Sequence, residues 1–214
     1  MVYLEDGKVM NNIIYEDNHI IVVYKKENIP VCLDESKDED LLSIIKKYLK
    51  EKYKKLGNVY LGLVHRLDRP VSGIMVFAKT SKAASRLSEQ IRNKTFKKIY
   101  NAVIVGNTKD EDKLEDKLLK DSKTNIVKVS NQGKEAILRY KKIGYKDNLS
   151  LVEIELETGR SHQIRVQFSS RNLPLYGDQK YNKNSRVGDT DVIRIRSAIS
   201  FHDICINARY CLFL

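Results

Sequence analysis

At 214 residues with 42% hydrophobic content, the chain is long enough to bury a core of its own, and we predict a single domain over residues 1–214. Three Cys cannot form a closed set of disulfides, the first residues are charged, and the apolar runs are strand-sized. These features argue against a secreted or membrane-spanning protein and predict a cytoplasmic one.

Charge gives the first indication of a partner. The chain has 39 Lys and Arg against 28 Asp and Glu, a net charge of +11 that favours polyanions. A Lys-rich proteome would give the same excess, so the charge assigns no function without a motif.

Predicted elements of the first half come from apolar spacing and turn formers. In chain order they are strands over 13–15 and 19–24, a helix over 38–55, strands over 59–64 and 73–79, and a helix with Thr80 as its N-cap. The Lys side chains of the 38–55 helix either contact phosphate or form a solvated face.

The second half is predicted to be mostly strand. Three strand candidates cover residues 96–105, 135–143 and 149–157. We predict that the mixed-charge residues 109–124 form an exposed loop or hairpin tip, and that the chain turns from strand to helix at Thr158-Gly159. The expected fold class is α+β, with a mixed, mainly antiparallel central sheet flanked by helices and loops.

A first polar cluster lies in HRLDRPVSG, between two apolar strands. It places His65, Arg66 and Asp68 in a loop, and such a support can aim a carboxylate at a substrate. A carboxylate beside arginines is also an ordinary structural ion pair, so this cluster alone does not identify a catalyst.

A second cluster, TGRSHQIRVQF, brings Arg160, His162, Gln163 and Arg165 within six residues. Ile164 and Phe168 are four residues apart, so they can dock a helix while Arg165 projects elsewhere. A cation near Asp68 would keep that carboxylate ionised, as a nucleophile requires.

Together the clusters carry a family resemblance. HRLDRPVSGIMVFAKT resembles the catalytic motif of RluA-type pseudouridine synthases, and LETGRSHQIRVQFSSRNLPLYGDQKY is similar to their later motif. FKKIYNAVIVG resembles the family's K-x-Y-x-A segment, and IIYEDNHIIVVYKKENIPV its opening strand pair. The resemblance covers residues 12–202 and implies the pseudouridine synthase catalytic fold, including its largely antiparallel sheet.

The resemblance implies three catalytic residues: Asp68 as the catalytic aspartate, Arg165 as its ion-pair partner, and Tyr100 as the aromatic that stacks on the target uracil. It also implies a set of substrate-binding residues: His65, Arg66, Lys98, Arg160, His162, Gln163 and Ile164. Ile164 would line the pocket, and Arg66 would fill the gap left when the base is flipped out of the RNA.

The implied reaction isomerises uridine to pseudouridine in structured rRNA or tRNA and needs no metal or organic cofactor. Asp68 attacks C1′ of the ribose, adds to C6 of the ring, or assists elimination at the sugar; the sequence leaves these three open. Tyr100 is the family's candidate acceptor for the C5 proton, although a pKa of about 10 makes tyrosine a poor base without help. We expect a monomer with RNA as its partner.

The chain departs from the family pattern at three points. Lys25-Lys26-Glu27-Asn28 replaces Lys-Pro-x-Gly after the second strand, and Phe201-His202 matches a later element only partly, so His202 is a weak candidate. No S4-type RNA-binding domain is expected, since only about ten residues precede the matched region. RNA would then be held by the catalytic domain itself.

Two other functions compete with this interpretation. A metal-dependent hydrolase would use His65, Asp68, His162 and His202 as ligands, but no HxH, HxxxH or HExxH spacing is present. A catalytically inactive, basic RNA-binding relative would keep the fold and the charge. The joint presence of Asp68, Tyr100 and Arg165 argues against it.

Overall fold

The computed structural model describes residues 12–182 and the backbone of two further strands, 195–201 and 204–206. Contacts between residues divide the chain into two compact units, the first ending at Phe96 and the second beginning at Lys97. His202 lies outside the described residues.

The first unit is a small antiparallel sheet with two helices. Its elements are β1 (Ile13–Glu16), β2 (Ile20–Lys25), α1 (Leu41–Lys52), β3 (Gly62–Leu63), β4 (Ser72–Ala78) and α2 (Ser81–Arg92). β2 pairs with β1 and β4, and β3 pairs with the end of β4. All seven residues of β4 are buried, so this strand forms the core of the unit.

Side-chain caps set the limits of both helices. Asp40 accepts a hydrogen bond from the Ser43 backbone N–H, and α1 therefore begins at Leu41 rather than at residue 38. Thr80 accepts one from the Ala83 backbone N–H, which confirms its predicted role as N-cap of α2. The strand predicted over 59–64 is limited to the two residues of β3.

The second unit is a larger antiparallel sheet. Its elements are β5 (Lys97–Val105), β6 (Glu111–Asp121), β7 (Ile126–Val129), β8 (Lys134–Lys146), β9 (Leu149–Leu156), α3 (Gln163–Ser169), β10 (Ile195–Phe201) and β11 (Ile204–Ile206). The strand order is β10-β5-β9-β8-β6-β7, with β11 paired to β10, and each of these pairs is antiparallel. The predicted α+β class with a mainly antiparallel sheet is confirmed.

The prediction of an exposed loop or hairpin tip over 109–124 is wrong for most of the segment, because residues 111–121 form β6; only residues 122–124 lie in the tip of the β6–β7 hairpin. Leu114 and Leu118 are buried on one face of the strand. Between them, Asp116 accepts hydrogen bonds from Gln167 (2.9 Å) and Arg171 (2.8 Å). The buried face of β6 thus includes the hydrogen-bonded carboxylate of Asp116. A charged residue at an inward position obscures the alternation of apolar and polar residues that would predict a strand.

The turn before α3 also differs from the prediction. β9 ends at Leu156 and the helix begins at Gln163, so the helix starts several residues after Thr158-Gly159. His162 precedes the helix with φ 52°, in the left-handed region. No helix of the described residues is long and apolar enough to cross a membrane.

Candidate active site

The Asp68 loop, residues 64–71, connects β3 to β4. Leu67 and Val71 are buried and anchor it, while Asp68 is half-buried. The Val71 N–H donates to the Asp68 carbonyl oxygen at 3.0 Å, which closes a turn around Arg69 and Pro70. Asp68 is therefore at the start of a tight turn between two buried apolar anchors.

Lys25, the last residue of β2, lies under this loop. Its side chain has no exposed surface, and its Nζ donates to the carbonyl oxygens of Lys26 (3.0 Å), Arg69 (3.0 Å) and Val71 (2.7 Å). Burial lowers the pKa of Lys25 to about 8, and the negative charges of Asp68 and Glu27 partly oppose that shift. A single ammonium thus binds two backbone positions of the Asp68 loop.

The chain after β2 holds the same loop from a second direction. The Asn28 N–H donates to the Arg69 carbonyl at 2.9 Å, and the Arg69 guanidinium pairs with Asp34 and Asp38. Asn28 has φ 61°, a conformation that asparagine adopts at small cost. It occupies the position where the family pattern has glycine, so the altered motif keeps a residue suited to this turn.

His65 and Arg66 stand at the start of the loop. His65 Nε2 accepts a hydrogen bond from the Val76 backbone N–H at 3.1 Å, and its ring packs against Phe96 with 5.7 Å between ring centroids. These contacts fix His65 against β4. Arg66 is exposed to solvent.

In the second unit, Arg165 forms a buried, two-pronged ion pair with Asp178. Arg165 Nε donates to Asp178 Oδ2 and Nη2 donates to Oδ1, both at 2.8 Å. The exposed fraction of the side chain is 7% for Arg165 and 0% for Asp178. Arg165 is as buried as Ile164 beside it, because α3 is buried on more than one side.

Tyr181 also contacts Arg165. The guanidinium carbon lies 4.9 Å from the centre of the Tyr181 ring, and His162 Nδ1 is 2.6 Å from the Tyr181 hydroxyl. Asp178 also accepts the backbone N–H of Tyr181 at 3.2 Å. Arg165 is thus fixed from two sides, by a carboxylate and by an aromatic face.

Gln163 ties together the turn that precedes α3. Its Oε1 accepts from Thr158 Oγ1 (2.8 Å) and from the Arg160 N–H (3.0 Å), and its Nε2 donates to the Ile137 carbonyl at 3.1 Å. Arg160 is exposed, and its Nε donates to the Glu135 carbonyl at 2.8 Å. These contacts of Gln163 favour a role in positioning the turn.

Lys98 and Tyr100 are two residues apart on β5 and share one face of the strand. Tyr100 is buried and lies opposite Ile154 of β9. A Cβ at Gly159 would lie 3.4 Å from the Lys98 Nζ, an ordinary van der Waals distance, so the Lys98 ammonium lies beside the turn that precedes α3.

Each unit therefore brings together part of the predicted site: the first carries His65, Arg66 and Asp68 on one loop, and the second carries the remaining seven residues on β5 and around α3. Sequence reasoning missed Lys25, Asp178 and Tyr181 as supports of the site. The last two lie in LYGDQKY, whose match to the family motif was the available signal. The described residues contain no group of three or more His, Cys, Asp or Glu side chains arranged to hold a metal ion.

The family model described as RNA pseudouridylate synthase matches residues 19–170. An uncharacterized RNA pseudouridine synthase of Bacillus subtilis is 32% identical over 198 residues, which cover 90% of this chain and 65% of that protein. A ribosomal large subunit pseudouridine synthase C of Buchnera aphidicola is 38% identical over 179 residues, 80% of this chain and 54% of that protein. The chain thus spans between about half and two thirds of the length of these curated relatives.

Among solved structures, human RNA pseudouridylate synthase domain containing 1 matches with a TM-score of 0.74 at 19% identity. The match covers 95% of this chain and 86% of that one. At this identity the likeness concerns the fold.

Proposed function

Because the chain belongs to the RNA pseudouridylate synthase family, we propose that it isomerises uridine to pseudouridine in RNA, with Asp68 as the catalytic carboxylate. One observation carries the assignment of Asp68: its loop is fixed by the buried Lys25 ammonium, which binds the carbonyl oxygens of Arg69 and Val71. A reacting group that is held before the substrate arrives loses less entropy in the transition state. An ordinary surface ion pair needs no such support.

The reaction breaks the bond between N1 and C1′ of the nucleotide and makes a bond between C5 and C1′. The proton on C5 is lost and N1 gains a proton, so atoms and charge balance without any redox step. Asp68 acts as the nucleophile in this proposal. The target base is flipped out of the RNA, since C5 and C1′ must both become accessible.

Arg165 is the ion-pair partner of Asp68 in this proposal. Its support comes from the second unit, where Asp178 and Tyr181 fix the guanidinium. The pairing with Asp68 is carried by the family resemblance.

The remaining roles concern the RNA. Tyr100 stacks on the uracil and accepts the C5 proton, and Lys98 adds positive charge on the same face of β5. Arg66, exposed at the start of the Asp68 loop, takes the space that the flipped base leaves. Curated relatives are named for the large ribosomal subunit, so ribosomal RNA is the favoured substrate and transfer RNA the second candidate. The enzyme acts as a monomer in the cytoplasm in this proposal.

Asp68→Asn tests the assignment. The amide is nearly isosteric but is not a usable nucleophile, so pseudouridine formation should fall by at least about a thousandfold while RNA affinity is kept. The measurement maps pseudouridine at single-nucleotide resolution in cells that lack the gene and carry either version of it. Asp147→Asn is the matched control, because that carboxylate is 80% exposed and lies in a turn outside the site.

A uridine that is modified with the wild type and with Asp147→Asn, but not with Asp68→Asn, supports the proposal and identifies the substrate. Appreciable product with Asp68→Asn refutes the role of Asp68. If the wild type binds RNA and modifies no site, the chain is the inactive RNA-binding relative considered above.

A further inference from the structure

A groove in the first unit lies along α1 and the segment that follows it. It encloses about 480 Å³ and is lined by Lys46, Lys47, Lys50, Gly57, Asn58 and Val59. We refer to these six residues as the α1 groove. None of them belongs to the residues assigned to the reaction above.

Three ammonium groups of the α1 groove come from one helix face. Within residues 12–182, Lys46, Lys47 and Lys50 form no ion pair with a carboxylate, whereas Lys52 on the same helix pairs with Glu16 at 2.7 Å. Lys47 and Lys50 are exposed, and Lys46 is half-buried. Like charges gathered without carboxylates produce a positive potential, and a groove of low dielectric focuses it.

Exposed apolar side chains adjoin this charge. Leu56 is fully exposed and Tyr60 is 49% exposed, and they flank the wall residues 57–59 in the sequence. Exposed aromatic and apolar side chains beside lysines are typical of surfaces that bind single-stranded nucleic acid, where bases stack and phosphates meet cations. A merely solvated helix face has no need of the groove or of these side chains.

We propose that the α1 groove binds the phosphate backbone of the substrate RNA, at nucleotides other than the one that reacts. This inference rests on the proposed function for the identity of the polyanion. The groove contributes affinity and register, and the reacting uridine is handled elsewhere by the Asp68 loop.

The test replaces Lys46, Lys47 and Lys50 together by Gln, which removes three charges and keeps helix-compatible side chains. The matched control replaces Lys82, Arg86 and Arg92 by Gln. These three residues lie on α2, a helix of the same length in the same unit, and all three are exposed. Both variants lose the same net charge, but only the first changes the α1 groove.

The probe is a fluorescently labelled RNA stem-loop with uridines in the loop, and anisotropy gives the dissociation constant. We expect the groove variant to bind about tenfold more weakly and the control to change less than about twofold. Equal affinity of groove variant and wild type, or an equal loss in the control, overturns the proposal. Lys47→Gln with Lys50→Gln, two exposed positions, provides a milder variant with the same expected direction if the triple variant does not fold.

Turnover on an unmodified transcript that contains the target uridine separates this proposal from the proposed function. The groove variant should lose kcat/KM by the same factor as affinity and keep its single-turnover rate at saturating RNA. If wild type binds the RNA but forms no pseudouridine, the proposed function fails while the affinity comparison still decides the role of the groove.

Discussion

At the residue scale, the Lys25 side chain is the most unusual feature of the first unit. A lysine is rarely buried without a carboxylate to neutralise it, and its charge is costly there. Here its three hydrogen bonds all go to backbone carbonyls, two of which belong to the Asp68 loop. In this irregular loop the ammonium donates to both carbonyls, together with the Asn28 N–H at the Arg69 carbonyl.

Lys25→Met should destabilise the protein at pH 7, because the carbonyls of Arg69 and Val71 both lose the hydrogen bond from the Lys25 ammonium, although the Arg69 carbonyl keeps the Asn28 N–H. The pKa of Lys25 is lowered to about 8 in the folded protein and is about 10.4 in the unfolded chain. Between these values the unfolded chain binds more protons, so the wild type should gain stability relative to Lys25→Met as pH rises, by at most about 3 kcal/mol. Urea unfolding of both proteins across this pH range measures the difference in their free energies of unfolding. A difference that does not change with pH contradicts the prediction.

Asp178→Ala should be among the most damaging changes in the second unit. It leaves the Arg165 guanidinium buried without its carboxylate, and loss of one partner of a buried pair costs about 3–5 kcal/mol. Asp110→Ala is the control, since that carboxylate pairs with Lys142 but is 92% exposed and should cost less than about 1 kcal/mol. The free energies of unfolding in urea distinguish the two, and a loss at Asp178 no larger than at Asp110 is the contrary result.

At the scale of elements, Glu16 joins β1 to α1 and to the end of β4. Its carboxylate accepts hydrogen bonds from Lys52 and Lys79, both at 2.7 Å, and from the hydroxyls of Tyr48 (2.9 Å) and Tyr53 (2.8 Å). Burial raises the pKa of Glu16, but these hydrogen bonds outweigh it and lower the pKa to about 2. One side chain thus ties three elements together.

Glu16→Gln should destabilise the protein at pH 7 by about 2–3 kcal/mol, because the folded protein favours the ionised carboxylate. The folded pKa of about 2 lies below the unfolded value, so the wild type loses this advantage as pH falls from about 4.5 towards 2. Unfolding at several acid pH values checks it, with the exposed Glu51→Gln as control. A gap between wild type and Glu16→Gln that stays constant down to pH 2 rejects it.

Elements with a clear apolar pattern could be predicted from sequence, and those with a polar packing face could not. β2, β4 and β9 were found because their buried residues are mostly apolar. β6 was missed because Asp116 occupies an inward position, where Gln167 and Arg171 neutralise it. Gln167 and Arg171 are more than fifty residues from Asp116 in the sequence, so no local pattern predicts these contacts.

The candidate site shows the same division. The loop bearing Asp68 and the segment bearing Arg165 could be recognised, since their motifs are contiguous in the chain. Lys25 could not, because its function depends on carbonyl oxygens 44 and 46 residues later. The sequence does not show which backbone carbonyls accept a hydrogen bond from a distant side chain.

At the scale of the whole molecule, the net charge of +11 acts on any polyanion. RNA binding that neutralises phosphates releases counterions. Each neutralised phosphate adds about 0.7–0.9 to the slope with which the logarithm of the affinity falls against the logarithm of the salt concentration. We predict that RNA affinity falls with salt with a slope of at least about three, measured by anisotropy from about 50 to 200 mM KCl. Asp68→Asn should give the same slope, and affinity that does not respond to salt contradicts the prediction.

The Lys25 ammonium is comparable to a potassium ion that has been fastened to the chain. Carbonyl oxygens that converge on a monovalent cation replace its hydration shell, and a dissociable ion at such a place could be diluted away or exchanged. The Lys25 ammonium is covalently attached to the end of β2, so it cannot dissociate and is in position whenever that strand is folded. The Lys25 support of the Asp68 loop therefore cannot be exchanged for an ion from the medium, whereas the binding of RNA depends strongly on salt.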